Sequence, residues 1–115
     1  MSKLDAFTRA YLECALWSST DDDGEPLDAV YSIDDLAPET IQSAIEDCDA
    51  FRQSAGAMLD AWTDEQAGHD YWLTRNGHGA GFWDRGLPFG DELSALCRHQ
   101  TVYLSVGDDG LIHST

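Results

Sequence analysis

From Ile41 onward, apolar residues return every three or four positions: Ile41, Ala44, Ile45, Cys48, Phe51, Ala55, Met58, Leu59 and Trp62. At 100° per residue they fall within an arc of roughly 140°, the stripe of a helix resting on a core. Pro38 stands where a helix tolerates proline best, at its first position. A helix over 38–62 in a chain of 115 residues obliges the other elements to pack on that one face. The same wheel gathers Glu39, Glu46, Asp49 and Asp60 on the opposite side. Their successive axial steps, at 1.5 Å per residue, are roughly 10, 5 and 16 Å.

The flanking segments supply the partners. Leu4, Phe7, Tyr11, Leu12, Ala15 and Leu16 have helical spacing and predict a first helix over 4–17. The stretch "DDDGEP" (21–26) reads as a solvated loop, and the Ser32-to-Asp35 spacing as a capped short turn. Thr63 and Gln66 form a second capping spacing, ahead of a helix over 64–74. "GFWD" predicts a short strand and residues 90–100 a fourth helix, with Leu93, Leu96 and Cys97 inward. "TVYLSV", "GDDG" and "LIHS" predict a C-terminal hairpin. The order predicts a single α+β domain over 1–115, three to four helices packed with a small antiparallel sheet.

Charge narrows the function. Twenty-two acidic residues face six basic ones, a net of −16, and all but five of the acids lie in residues 1–70. Self-repulsion on this scale opposes compaction, and the field repels phosphates, so direct nucleic-acid binding is not expected. Solubility, a basic partner surface and cation binding remain as reasons for it. No stretch reaches the roughly 18 consecutive apolar residues of a membrane span. The N-terminal segment lacks the pattern of a secretory signal, which predicts a cytoplasmic protein. Cys14, Cys48 and Cys97 are widely spaced, each among apolar residues, and predict buried free thiols.

The segment "HDYWLTRNGHGAGFWDRG" (69–86) concentrates histidine, glycine, tryptophan and arginine. A metal site could use His69, His78 and nearby acids, but structural zinc sites pair ligands more tightly than these nine positions. A phosphate loop would need the lysine and the hydroxyl residue that "GHGAG" lacks. His78, Asp84 and a serine could be assembled into a hydrolytic set, yet no G-x-S-x-G pattern accompanies them. The reading that accounts for most of these residues is a packed corner. Trp72, Phe82 and Trp83 anchor it, glycines 77, 79 and 81 turn the chain, and Arg75 and Arg85 pair with Asp70, Asp84 or the excess acids nearby. The corner could also dock a partner, since Trp and Arg are favoured at interface centres.

This segment, as "AGHDYWLTRNGHGAGFWDRG", together with "YLECALWSST", "YSIDDLAPET" and "VGDDGLI", resembles a family of small acidic proteins from phages and other mobile elements. The resemblance implies a genetic setting. Small acidic proteins of that setting include inhibitors of host defence, anti-CRISPR and anti-restriction proteins among them, and many occupy basic nucleic-acid grooves. The expectation is therefore a non-enzymatic, DNA-mimicking inhibitor of a bacterial defence complex, with a CRISPR–Cas effector favoured as partner. Its contacts would be Asp21, Asp22, Asp23 and Glu25 in the loop and Glu39, Glu46, Asp49 and Asp60 on the helix. No catalytic residue, metal or cofactor is expected. The alternative is a phage accessory protein that docks through the aromatic corner.

Overall fold

A computed structural model describes residues 4–20, 23–77, 81–97 and 101–114. Among them are four α-helices and one two-stranded sheet, an α+β arrangement. Helix α1 (Ala6–Ser18) starts where the Asp5 carboxylate accepts a 2.8 Å hydrogen bond from the Thr8 N–H. Helix α2 (Pro38–Ala55) begins on its proline as expected. Helix α3 (Asp64–Arg75) is capped by Thr63, whose hydroxyl accepts from the Gln66 N–H at 3.1 Å. Both caps satisfy donors that every helix start leaves unpaired.

Helix α2 is shorter than its periodicity predicts. Gly56, at φ +53°, takes the chain out of helical geometry, and Gly56–Leu59 continues as a 3₁₀ turn. Trp62 is buried all the same, because the turn returns the chain to the core. Periodicity records burial, and it cannot see a change of backbone that preserves burial. The predicted "GFWD" strand is also a 3₁₀ turn, Phe82–Asp84. The Gly81 N–H donates to the Asp84 carboxylate and the Phe82 N–H to the Thr74 hydroxyl, each at 3.1 Å. Local hydrogen bonds have taken the donors a strand would need.

Helix α4 (Gly90–Leu96) precedes strands β1 (Leu104–Val106) and β2 (Ile112–Ser114). The strands pair antiparallel with Leu104 opposite Ser114 and Val106 opposite Ile112. The hairpin is fastened to the start of α2. The Ile112 carbonyl accepts from the Ala37 N–H at 2.9 Å and from the Thr40 hydroxyl at 3.0 Å.

The core is centred where α1 crosses α3. A Cβ at Gly68 would overlap the Phe7 carbonyl oxygen, so only glycine lets the two backbones come this close. Aromatic rings extend the contact in a chain. Tyr11 stacks on Tyr71 (5.2 Å), Tyr71 on Phe51 (4.3 Å) and Phe51 on Phe82 (5.5 Å), and Trp62 meets Phe82 edge-on. Each such pair adds roughly 0.5–1.5 kcal/mol to its area burial. Leu93 and Cys97, at α4 and its end, and Ile112 of β2 complete the cluster, while Leu96 is only partly covered.

Candidate functional site

Burial sorts the charged groups into two kinds. Asp70 is 0% exposed and fully engaged. It accepts from the Arg85 guanidinium (2.6–3.1 Å), the Trp62 indole N–H (3.0 Å) and the Gln66 amide (3.0 Å). This buried carboxylate ties α3 to the turn after α2 and to the segment after Phe82. The expected Arg85–Asp70 pairing is present. Arg75 takes its carboxylate from the other nearby acids, reaching Asp47 (3.0 Å) and the Tyr11 hydroxyl (2.9 Å), because it leaves α3 on the side facing α1 and α2.

The helix stripe is less uniform than the wheel implies. Glu39 lies 3.1 Å from Nδ1 of His113, and Asp49 holds the Arg52 guanidinium at 2.7 Å. Arg52 also bonds Asp5 at 2.7 Å. Among the described residues Glu46 accepts only a neutral bond, from the Gln42 amide at 3.2 Å. Asp60 is not part of the stripe: it lies beyond the end of α2, on the turn set by Gly56. In the loop, Asp23 and Glu25 are exposed beside a bridge between Thr20 and Pro26, whereas Asp21 and Asp22 lie outside the described residues.

The surface therefore differs from the composition in one respect. Of the four described arginines, three (Arg52, Arg75 and Arg85) are held against this chain's own carboxylates. The fourth, Arg9, is exposed, and what the described residues present outward is dominated by acids.

The aromatic corner divides. Trp72 is buried, its indole N–H on the Ser18 hydroxyl at 2.6 Å, whereas Trp83 is 51% exposed, against expectation. The 82–84 turn sends Phe82 inward and its neighbour outward. Leu87 and Phe89 are exposed as well, and Phe89 has a left-handed backbone (φ +67°) that a non-glycine residue adopts at a cost. Positive φ is found at Gly77 and Gly81, as the turn requires, while His78 and Gly79 lie outside the described residues.

Chemistry elsewhere is muted. Cys14, Cys48 and Cys97 are free and buried, and burial pushes each thiol up to about 12, far from a reactive thiolate. Among the described residues no group of three or more His, Cys, Asp or Glu is placed to hold a metal ion. No described helix is long and apolar enough to cross a membrane.

A further feature escapes sequence reading. Helix α1 and the first half of α3 border a groove of about 710 Å³, lined by Glu13, Trp17, Asp28, Glu65, His69 and Arg85 and floored by Ala10 and Cys14. Residues 10, 13, 14 and 17 share a helical face, so that half was visible in the periodicity. Asp28 and Glu65 are brought there by the fold alone. Comparison with protein-family models, curated proteins and solved structures finds no match.

Proposed function

We propose that this protein is a non-enzymatic inhibitor whose acidic surface occupies the basic nucleic-acid groove of a bacterial defence complex, with a CRISPR–Cas effector as its partner. The reading places it in the host cytoplasm, bound neither to nucleic acid nor to membrane. The observation that carries it is the internal commitment of Arg52, Arg75 and Arg85, which leaves an outward field dominated by carboxylates. A row of lysines and arginines that normally holds phosphates attracts such a surface and steers its approach. The defence setting comes from the sequence resemblance.

Plating of a targeted phage on bacteria that carry an active CRISPR–Cas effector tests the proposal. Expression of the protein should restore plaques. The triple variant E39K/E46K/D49K should lose at least tenfold of that rescue, because repelling ammoniums replace three carboxylates. The control D91K/E92K/D108K changes net charge equally but lies off α2, and it should keep the rescue. Asp109 stays out of the control because it holds His113 at 3.0 Å. Glu39 and Asp49 also hold partners, His113 and Arg52, so the α2 triple must keep the parent's circular dichroism and melt as a folded protein for its loss to count, and E46K alone, which breaks no ion pair, should lose part of the rescue. No rescue in any armed strain, or equal rescue by both triples, overturns the reading.

The exposure of Trp83 and Phe89 favours a second reading, docking through that corner. Rescue that survives the α2 triple but is lost in Trp83→Ala would establish it. Its binding would also weaken little with salt, whereas a charge-driven complex weakens steeply.

A further inference from the structure

We infer that the groove between α1 and α3 is a receptor for a cationic side chain, arginine or lysine, presented by the protein partner. The inference rests on the proposed reading that the partner surface is basic, and it names the place where one of its side chains anchors.

Three carboxylates reach the groove from three different elements: Glu13 from α1, Asp28 from the turn at Leu27–Ala29, and Glu65 from the first turn of α3. Among the described residues none of the three is in an ion pair. Arg85 is the one cation that lines the groove among the described residues, and its guanidinium is bound to Asp70 through both Nε and Nη2. Arg9 borders the adjoining pocket beside Glu13 and Asp28 but, among the described residues, is in no ion pair with either, so the groove keeps an excess of negative charge around an open volume.

The second component is aromatic. Trp17 lies one helical turn from Glu13 on the same face of α1, and it is 58% exposed. Leaving an indole in water forgoes burial energy that a chain this size can use. An indole beside carboxylates is the combination that takes a cation, the ring facing the charge and the stem while the oxygens accept its N–H groups. His69 stands against the indole, with ring centroids 6.1 Å apart. Its Nδ1 is buried without a hydrogen-bond partner, and the nearest Asp70 oxygen, at 3.9 Å, is beyond bonding reach.

Charge decides among occupants. A second copy would bring another −16, and nucleic acid or an anionic membrane would bring like charge to the same rim. An arginine or lysine side chain matches both the sign and the aromatic wall. The groove volume lies within the range of small-ligand sites.

The probe is an acetylated, amidated tetra-arginine peptide, with tetra-lysine and tetra-glutamate for comparison, followed by amide and indole NMR shifts in the intact protein. Tetra-arginine and tetra-lysine should bind saturably and shift the Trp17 indole and the Cys14 amide, while tetra-glutamate should do neither. Trp17→Ala and Trp17→Leu should each weaken binding at least tenfold, the leucine keeping apolar bulk without the π face. The neutral triple E13Q/D28N/E65Q should do the same, and E39Q/E46Q/D49N should change binding less than twofold. Equal loss in both triples, or loss confined to the α2 triple, overturns the inference. Absence of cationic-peptide binding while phage rescue persists also overturns it and leaves the proposed function standing. Groove-confined binding without rescue in any strain supports the receptor and removes the defence reading instead.

Discussion

Two carboxylate clusters hold distant parts of this chain together, and they do so in opposite surroundings. Asp70 lies wholly inside, with four donor groups converging on it from Trp62, Gln66 and Arg85. His113 lies at the surface, with Asp109 at 3.0 Å on one ring nitrogen and Glu39 at 3.1 Å on the other. The first joins α3 to the two turns that flank it in space, and the second clips the C-terminal hairpin to α2. Their chemistry is alike, and solvent makes the difference. A buried carboxylate stripped of water depends on every donor it has, while an exposed clasp trades protein partners for water at little net change.

The largest effect should come from the buried cluster. Asp70→Asn removes the charge that Arg85 needs and, in either amide orientation, sets an NH₂ group against donors that now bond an oxygen. Loss of one partner from a buried ion pair costs about 3–5 kcal/mol, so urea unfolding should show a midpoint far below that of the parent. An unchanged midpoint would mean that the interior cluster behaves like the surface one. Next in size, Gly68→Ala places a methyl group on the Phe7 carbonyl at the α1–α3 crossing. The better helix propensity of alanine offsets part of the overlap, and a net loss of about 1–3 kcal/mol is expected. Thermal unfolding measures it directly, and a gain in melting temperature would show that the crossing has slack.

A smaller effect belongs to the hairpin. Thr40→Val deletes the hydroxyl that donates to the Ile112 carbonyl and accepts from the Ser114 N–H at 3.2 Å. The expected loss is about 1–3 kcal/mol, at the lower end because part of the site reaches solvent. Amide exchange should quicken at Ser114 before it changes at Tyr71.

The smallest effect is the surface clasp, and pH reveals it. Hydrogen bonding to Asp109 holds the His113 imidazolium above its ordinary 6.5, with the charges of Asp109 and Glu39 adding to the shift. Bonds from the Leu111 N–H and then from His113 hold Asp109 below its ordinary 3.8. The histidine contribution is therefore complete below pH 6.5 and is lost as pH rises through its raised folded value. The aspartate contribution is complete above 3.8 and is lost as pH falls through its lowered folded value. The clasp is at full strength between those two reference values. NMR titration of His113 should show a midpoint that drops in Asp109→Asn, and molar salt should lower it in the parent while leaving the Asp70 cluster intact.

The sequence makes some of this contrast readable and hides the rest. Pro38, the Thr63–Gln66 spacing and the β-rich ends around "GDDG" announce their elements because the signal lies within a few residues. The buried thiols and the Arg85–Asp70 pair follow from apolar surroundings and opposite charge. What stays hidden depends on how distant elements cross. The stripe is extended to Asp60 on paper because Met58, Leu59 and Trp62 keep the apolar period across the break at Gly56. Trp83 points outward because the Thr74 hydroxyl and Asp84 close a turn one residue earlier. Asp28 and Glu65 come to the groove beside Trp17 only once the Leu27–Ala29 turn and α3 have docked on α1, so half of the groove has no local signature.

The three thiols have a practical consequence. Cys14 sits on α1, Cys48 on α2 and Cys97 at the end of α4, each enclosed and each held protonated by its surroundings. An alkylating reagent added to the native protein can react only when one of these regions opens. The natural sequence thus contains three chemical clocks on three helices. If their labelling rates coincide, the molecule opens as one unit. If Cys97 runs ahead of Cys14 and Cys48, the C-terminal third detaches while the α1–α3 core stays shut.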